Sequence, residues 1–140
     1  MEIKRDLLLK RLIDLRHNGM IKVVTGMRRC GKSYLLFNLF TDALKAKGVD
    51  EENIVQINLE DRRNKSLRDP DKLLAYIDSR LKDNKMYYIL LDEVQLVNEF
   101  EDVLNSYLQV KNADVYVTGS NARFLSKDVI TEFRGRGLEI

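Results

Sequence analysis

The residues Gly26-Met27-Arg28-Arg29-Cys30-Gly31-Lys32-Ser33 place two glycines, a lysine and a hydroxyl in the spacing G-x-x-x-x-G-K-[ST], directly after the apolar run Ile21-Lys22-Val23-Val24. The chemistry of that spacing is anion capture. Glycines let the backbone curl so that successive N–H groups of Met27, Arg28, Arg29 and Cys30 point inward, and a helix N-terminus opening near Lys32 adds its positive dipole end. Lys32 is placed to reach the β- and γ-phosphates of a triphosphate, and Ser33 to put its hydroxyl on Mg²⁺. Gly26 and Gly31 take backbone shapes that a side chain would obstruct, and Tyr34 follows as the last member of the candidate nucleotide-binding set. A glycine turn that merely carries a lysine is the competing reading, and the order strand, turn, helix argues against it.

A second constellation supplies carboxylates. Met86-Tyr87-Tyr88-Ile89-Leu90-Leu91 reads as a strand buried on both faces and ends in Asp92-Glu93. Ligands of open α/β sheets bind at such carboxyl ends. Asp92 can hold Mg²⁺ through a water, while Glu93, one residue on and pointing elsewhere, can orient and deprotonate an attacking water. An acidic strand-end turn is the bland alternative, weakened by the complete phosphate loop upstream.

The elements that must position these groups alternate. A helix is predicted over about residues 4–17, with Leu8, Leu12 and Leu15 on one face, His17 at its end and Gly19 after it. A strand follows at 21–25, then a helix at 32–46 carrying a broad apolar stripe and ended by Gly48. Residues 53–59 read as a second strand, and Asp69-Pro70 as N-cap and first residue of a helix to about Leu81. A third strand spans 86–92, Asn98 is expected to cap a helix to about Val110, and 113–119 forms a fourth strand. A short helix near 122–133 and a terminal strand at Leu138-Glu139-Ile140 complete the series. Strands alternating with helices mean a parallel sheet covered on both faces.

Composition is compatible with one such domain. The 140 residues are 44% apolar and 33% charged, enough to bury a single core over 1–140 without a second. A net charge of +2 does not by itself argue for nucleic acid or an anionic membrane. The one cysteine, Cys30, excludes an internal disulfide and fits a reducing cytoplasm. No apolar run approaches the length of about 18 residues that a spanning helix needs, and the N-terminus is charged, so a cytoplasmic protein with no membrane association is expected.

Taken together, the loop at 26–33, the strand ending Leu90-Leu91-Asp92-Glu93-Val94-Gln95, the segment Val117-Thr118-Gly119-Ser120-Asn121 and the run Arg134-Gly135-Arg136 resemble the AAA+ ATPase superfamily. More narrowly, they resemble prokaryotic ATPases in which this domain opens a longer polypeptide. The resemblance covers nearly the whole chain. It implies a three-layer P-loop NTPase fold with five parallel strands in the order 5-1-4-3-2, ATP and Mg²⁺ as ligands, and a polar sensor after strand 4. Ser120 matches that sensor best and Asn121 next, although either residue could simply N-cap the following helix. It also implies an arginine acting on the nucleotide of a neighbouring subunit, hence a homo-oligomer: Arg136 is the preferred match and Arg134 the second, against a plain surface role for both. Asn58 and Glu60 lie where related ATPases restrain the catalytic glutamate.

The family's helical lid has no counterpart before Ile140, which fits the N-terminal fragment of a longer protein whose effector domain or protein partner lies elsewhere. The sequence therefore points to a Mg²⁺-dependent ATPase module, with a non-hydrolysing ATP-binding switch, associated with DNA or not, as the rival. A GTPase would want Asn-Lys-x-Asp, which neither Asn64-Lys65-Ser66-Leu67 nor Asn84-Lys85-Met86-Tyr87 supplies. A small-molecule kinase would need an acceptor pocket that no motif marks. The cationic segment 61–68 could touch a phosphate backbone, but without interleaved aromatics it reads better as a solvated loop.

Overall fold

The computed structural model describes residues 2–17, 19–24, 29–119 and 137–139. Five strands, β1 (Ile21–Val24), β2 (Ile54–Asn58), β3 (Tyr87–Asp92), β4 (Ala113–Thr118) and β5 (Gly137–Glu139), pair in parallel in the order β2-β3-β4-β1-β5. This is the expected 5-1-4-3-2 order read from the other edge. Helices α1 (Glu2–Asp14), α2 (Arg29–Tyr34), α3 (Thr41–Ala46), α4 (Pro70–Arg80) and α5 (Phe100–Tyr107) cover the sheet.

Because side chains of a strand alternate between faces, the sheet divides the core in two. Ile21 and Val23, Val55 and Ile57, Ile89 and Leu91, and Val115 and Val117 face α4 and α5 with Leu73, Ile77, Phe100, Val103 and Leu104. Val24, Ile54, Tyr88, Leu90 and Tyr116 face Leu12 of α1 and the helix after the phosphate loop, through Leu35, Leu36, Phe40 and Leu44. Asp92 and Thr118 continue the even-numbered, helix-facing rows of β3 and β4 at the sheet's carboxyl edge. That parity decides what they can touch.

Three local expectations need correction. The helix after the phosphate loop starts by Arg29, three residues before the expected Lys32, and its middle, Leu35–Phe40, winds as a π-helix between α2 and α3. Gln56 of β2 donates to the Phe37 carbonyl at 3.0 Å and to Thr41 Oγ1 at 2.7 Å, and Thr41 Oγ1 donates to the Leu36 carbonyl at 3.3 Å, so groups left over by the wider winding gain partners. Asn98 does not cap α5: the helix starts at Phe100 after Glu99, which sits in the left-handed region at φ 54, and ends at Tyr107. The Asn98 N–H instead donates to the Arg68 carbonyl, tying the loop to the 3₁₀ turn Arg62–Arg68. The solvated segment expected at 61–68 is exposed or half-buried throughout, as read, but is wound into this turn, Asp61 capping it by accepting from the Arg63 N–H. The Asp69-Pro70 start of α4 stands, Asp69 accepting from the Lys72 N–H at 3.0 Å, and Gly48 ends α3 at φ 95. The helix expected near 122–133 lies outside the described residues.

Candidate active site

At the carboxyl edge, β3 and β4 end side by side and α2 passes over the face that Asp92 and Thr118 present. Ser33, in α2, donates from Oγ to Asp92 Oδ2 at 2.5 Å. Thr118 donates from Oγ1 to the other oxygen, Oδ1, also at 2.5 Å. Both carboxylate oxygens of a side chain only 1% exposed are therefore held by hydroxyls. Lys32, equally buried, donates from Nζ to the Gly119 carbonyl at 2.7 Å. The two motifs found far apart in sequence thus meet through one strand end, Thr118-Gly119.

Glu93 leaves the strand in the left-handed conformation, φ 58 and ψ 50, before the 3₁₀ turn Val94–Leu96. A non-glycine residue there is strained by about 1–2 kcal/mol. The surroundings hold it: its N–H donates to Thr118 Oγ1 at 2.9 Å, and its carboxylate oxygen Oε1 accepts from Gln95 Nε2 at 2.7 Å.

Of the residues singled out by sequence, Lys32, Ser33, Asp92 and Glu93 are brought together here, with Gly31 in α2 beside them and Tyr34 one residue on, 45% exposed. Arg29 and Cys30 lie on the backbone of α2. Gly26, Met27, Arg28, Ser120, Asn121, Arg134 and Arg136 lie outside the described residues. Asn58 pairs in register with Asp92, and its Oδ1 accepts from the Glu60 N–H at 3.0 Å. An open cleft of about 410 Å³ lies between α2 and the end of β2, lined by Ser33, Tyr34, Phe37, Asn58, Glu60 and Asp92.

Sequence reasoning missed Thr118 and Gln95. Thr118 was discoverable: it is the polar end of an apolar strand and shares parity with Tyr116. Gln95 carried no signal, because its reach back to Glu93 depends on the turn that the left-handed Glu93 creates.

The donor set suits Mg²⁺. A hydroxyl and a carboxylate oxygen in contact are hard ligands, and no group of three or more His, Cys, Asp or Glu gathers among the described residues. A cation here would take the rest of its shell from phosphate and water, as Mg²⁺ usually does. The buried Lys32 ammonium, facing a neutral carbonyl, likewise suits a polyphosphate.

A family model described as an AAA domain matches residues 18–140. The chain belongs to the AAA domain family. Among curated proteins, this AAA domain is 34% identical over 139 residues to an uncharacterized protein of Haemophilus influenzae, covering 99% of the chain and 34% of that protein. It is 33% identical over 121 residues to an uncharacterized protein of Methanocaldococcus jannaschii, covering 85% of the chain and 25% of that protein. It therefore spans about a third of the one and a quarter of the other. Two solved structures share its fold: Drosophila ORC bound to AT-rich DNA and Cdc6 (TM-score 0.61, 9% identity, 98% of this chain and 53% of that one) and a DNA polymerase III gamma subunit-related protein of Thermotoga maritima (TM-score 0.61, 12% identity, 95% and 44%). Membership implies that the domain binds nucleotide, and no helix among the described residues is long and apolar enough to cross a membrane.

Proposed function

We propose that this AAA domain binds ATP with Mg²⁺ and hydrolyses the β–γ phosphoanhydride by in-line attack of water. The observation that carries the reading is the convergence of Ser33, Asp92 and Lys32 at one strand edge, with Glu93 next in the chain. Lys32 binds the β- and γ-phosphates, and the loop from Gly26 to Ser33 cradles them through its N–H groups. Ser33 and Asp92 would hold Mg²⁺, which when bound neutralises charge on the phosphate oxygens. Glu93 orients the water and takes its proton. Ser120 or Asn121 senses the γ-phosphate, and Arg136, or else Arg134, completes a neighbour's site in a homo-oligomer. Hydrolysis drives a conformational change in a protein partner or in a further domain of a cytoplasmic protein.

The second reading is a switch that binds ATP with little turnover, and one contact favours it: the Gln95 amide occupies Oε1 of the would-be base. DNA as the partner of such a switch draws on the DNA-bound ORC and on the exposed cations Arg62, Arg63 and Lys65. Two measurements test the reading. ATP should displace a fluorescent ATP analogue far better than GTP does, and labelled ATP should be cleaved in a single turnover with Mg²⁺ but not with EDTA. Preference for GTP, or bound ATP left intact, would overturn it.

A further inference from the structure

We infer that Thr118 is a positioning residue that sets both acidic groups of the site with one hydroxyl, an inference that rests on the ATPase reading above. Its side chain is fully buried at the end of β4, between β1 and β3. A threonine hydroxyl has one proton to give. Here that proton goes to Asp92 Oδ1 at 2.5 Å, a short contact of the charge-assisted kind. The oxygen then accepts the Glu93 N–H at 2.9 Å. The direction of both bonds is fixed, since a carboxylate cannot donate and an amide nitrogen cannot accept.

Each bond has its own consequence. Held by Thr118 on one oxygen and by Ser33 on the other, the Asp92 carboxylate has a defined plane and cannot rotate off the position where it would meet a cation. Held through its N–H, Glu93 keeps the strained left-handed backbone on which its side chain is carried. The methyl of a β-branched residue restricts χ1, so the hydroxyl stays between the two partners. Gly119, the residue after β4, accepts from Lys32, so the last residue of the strand and the one that follows it together touch the acidic and cationic halves of the site. Thr118 itself acts through its neighbours, not on the nucleotide.

The test compares Thr118→Val, which keeps shape and removes the hydroxyl, with Thr118→Ser, which keeps the hydroxyl. Partners that orient metal ligands typically cost 10–100-fold in metal affinity or activity when removed. Thr118→Val in the full chain should therefore lower ATP turnover by about 10–100-fold, and raise the Mg²⁺ concentration needed for half-maximal binding of a fluorescent ATP analogue by about tenfold. Binding of the same analogue in EDTA should stay at the parent level, because Lys32 and the loop are untouched. Thr118→Ser should recover most of both losses.

Parent-like turnover and Mg²⁺ dependence in Thr118→Val would overturn the inference. So would a serine variant as impaired as valine, or an equal loss of binding in EDTA, since either points to packing instead of the hydroxyl. If Thr118→Val does not fold, Thr118→Ala carries the same expectations, and loss of the fold in both would assign Thr118 to the core alone. A parent that neither binds nor cleaves ATP sinks the ATPase reading itself; an active parent with a silent Thr118→Val sinks only this inference.

Discussion

At the start of β4, Asp114 gathers Lys22 Nζ at 2.6 Å, the Tyr116 hydroxyl at 2.5 Å and the His17 N–H at 3.0 Å, while His17 Nε2 meets the Tyr88 hydroxyl at 2.6 Å. On the same face, about 13 Å further along at about 3.3 Å per residue, Thr118 and Asp92 form the second buried cluster with Ser33, and Lys32 lies beside it. Both clusters contain a buried lysine and a buried aspartate. In the first they pair with each other. In the second they do not: Lys32 donates to a carbonyl and Asp92 accepts from two hydroxyls, so among the described residues neither charge is paired with one of opposite sign. A closed pair specifies structure, whereas charges held by neutral groups remain available to a phosphate and a cation. Electrostatics at the first cluster fit that role. Burial pulls the Lys22 ammonium below its ordinary value against the upward pull of Asp114, and burial together with that carboxylate pushes the Tyr116 phenol well up.

If the contrast is right, breaking the first cluster should cost stability and breaking the second should cost chemistry. Asp114→Ala takes the carboxylate away from a buried ammonium, and removing one partner of a buried pair costs about 3–5 kcal/mol. Denaturant unfolding should register that loss, and adding Lys22→Met should recover part of it. A site-specific defect in ATP affinity, with stability intact, would contradict the assignment.

Alkaline pH sharpens the same point. The folded Tyr116 keeps its proton above the ordinary phenol value of about 10, where the unfolded chain loses it, so this group's contribution is full below pH 10 and declines above it. One proton corresponds to about 1.4 kcal/mol per pH unit. Lys22, with its lowered value, shifts stability the opposite way in the alkaline range, so the parent must be compared with Tyr116→Phe, whose unfolding free energy should fall less steeply above pH 10. Equal slopes would place Tyr116 outside the closed network.

At the second cluster, Lys32→Ala should weaken ATP binding about tenfold or more, or abolish turnover, because a compact cation facing the phosphates is gone. Its unfolding midpoint should stay close to the parent's. Smallest of all, Gln95→Ala removes one hydrogen bond, worth about 1 kcal/mol, from the Glu93 carboxylate and should raise single-turnover cleavage about fivefold. A fall would instead make Gln95 an aligning group.

How far the sequence reached follows from the same two clusters. Lys32, Ser33, Asp92 and Glu93 were legible because local spacing encodes them, and the strand order followed from the resemblance those motifs support. The closed cluster was not, because Lys22 and Asp114 lie 92 positions apart and meet only once β1 is placed beside β4. His17 was expected to end a helix over about 4–17, but α1 stops at Asp14 and His17 closes the turn after it at φ 61, and its link to Tyr88 needed the fold. Asn98 failed as a cap because cap preference is a local signal, whereas the chain runs on to the left-handed Glu99 before α5 opens, with the Asn98 N–H tied to the Arg68 carbonyl. The π-helical turn is bonded by Gln56, a residue of another element that no local pattern links to it.

The central claim is that the carboxyl edge of this sheet is a hydrolytic centre with Glu93 as its base. Glu93→Gln keeps shape while removing the proton acceptor, so single-turnover cleavage of labelled ATP, run beside equilibrium binding of the same nucleotide, isolates that step. We expect ATP to bind as it does to the parent and cleavage to fall by about 10²-fold or more. Cleavage at the parent rate would remove Glu93 from the chemistry and contradict the account.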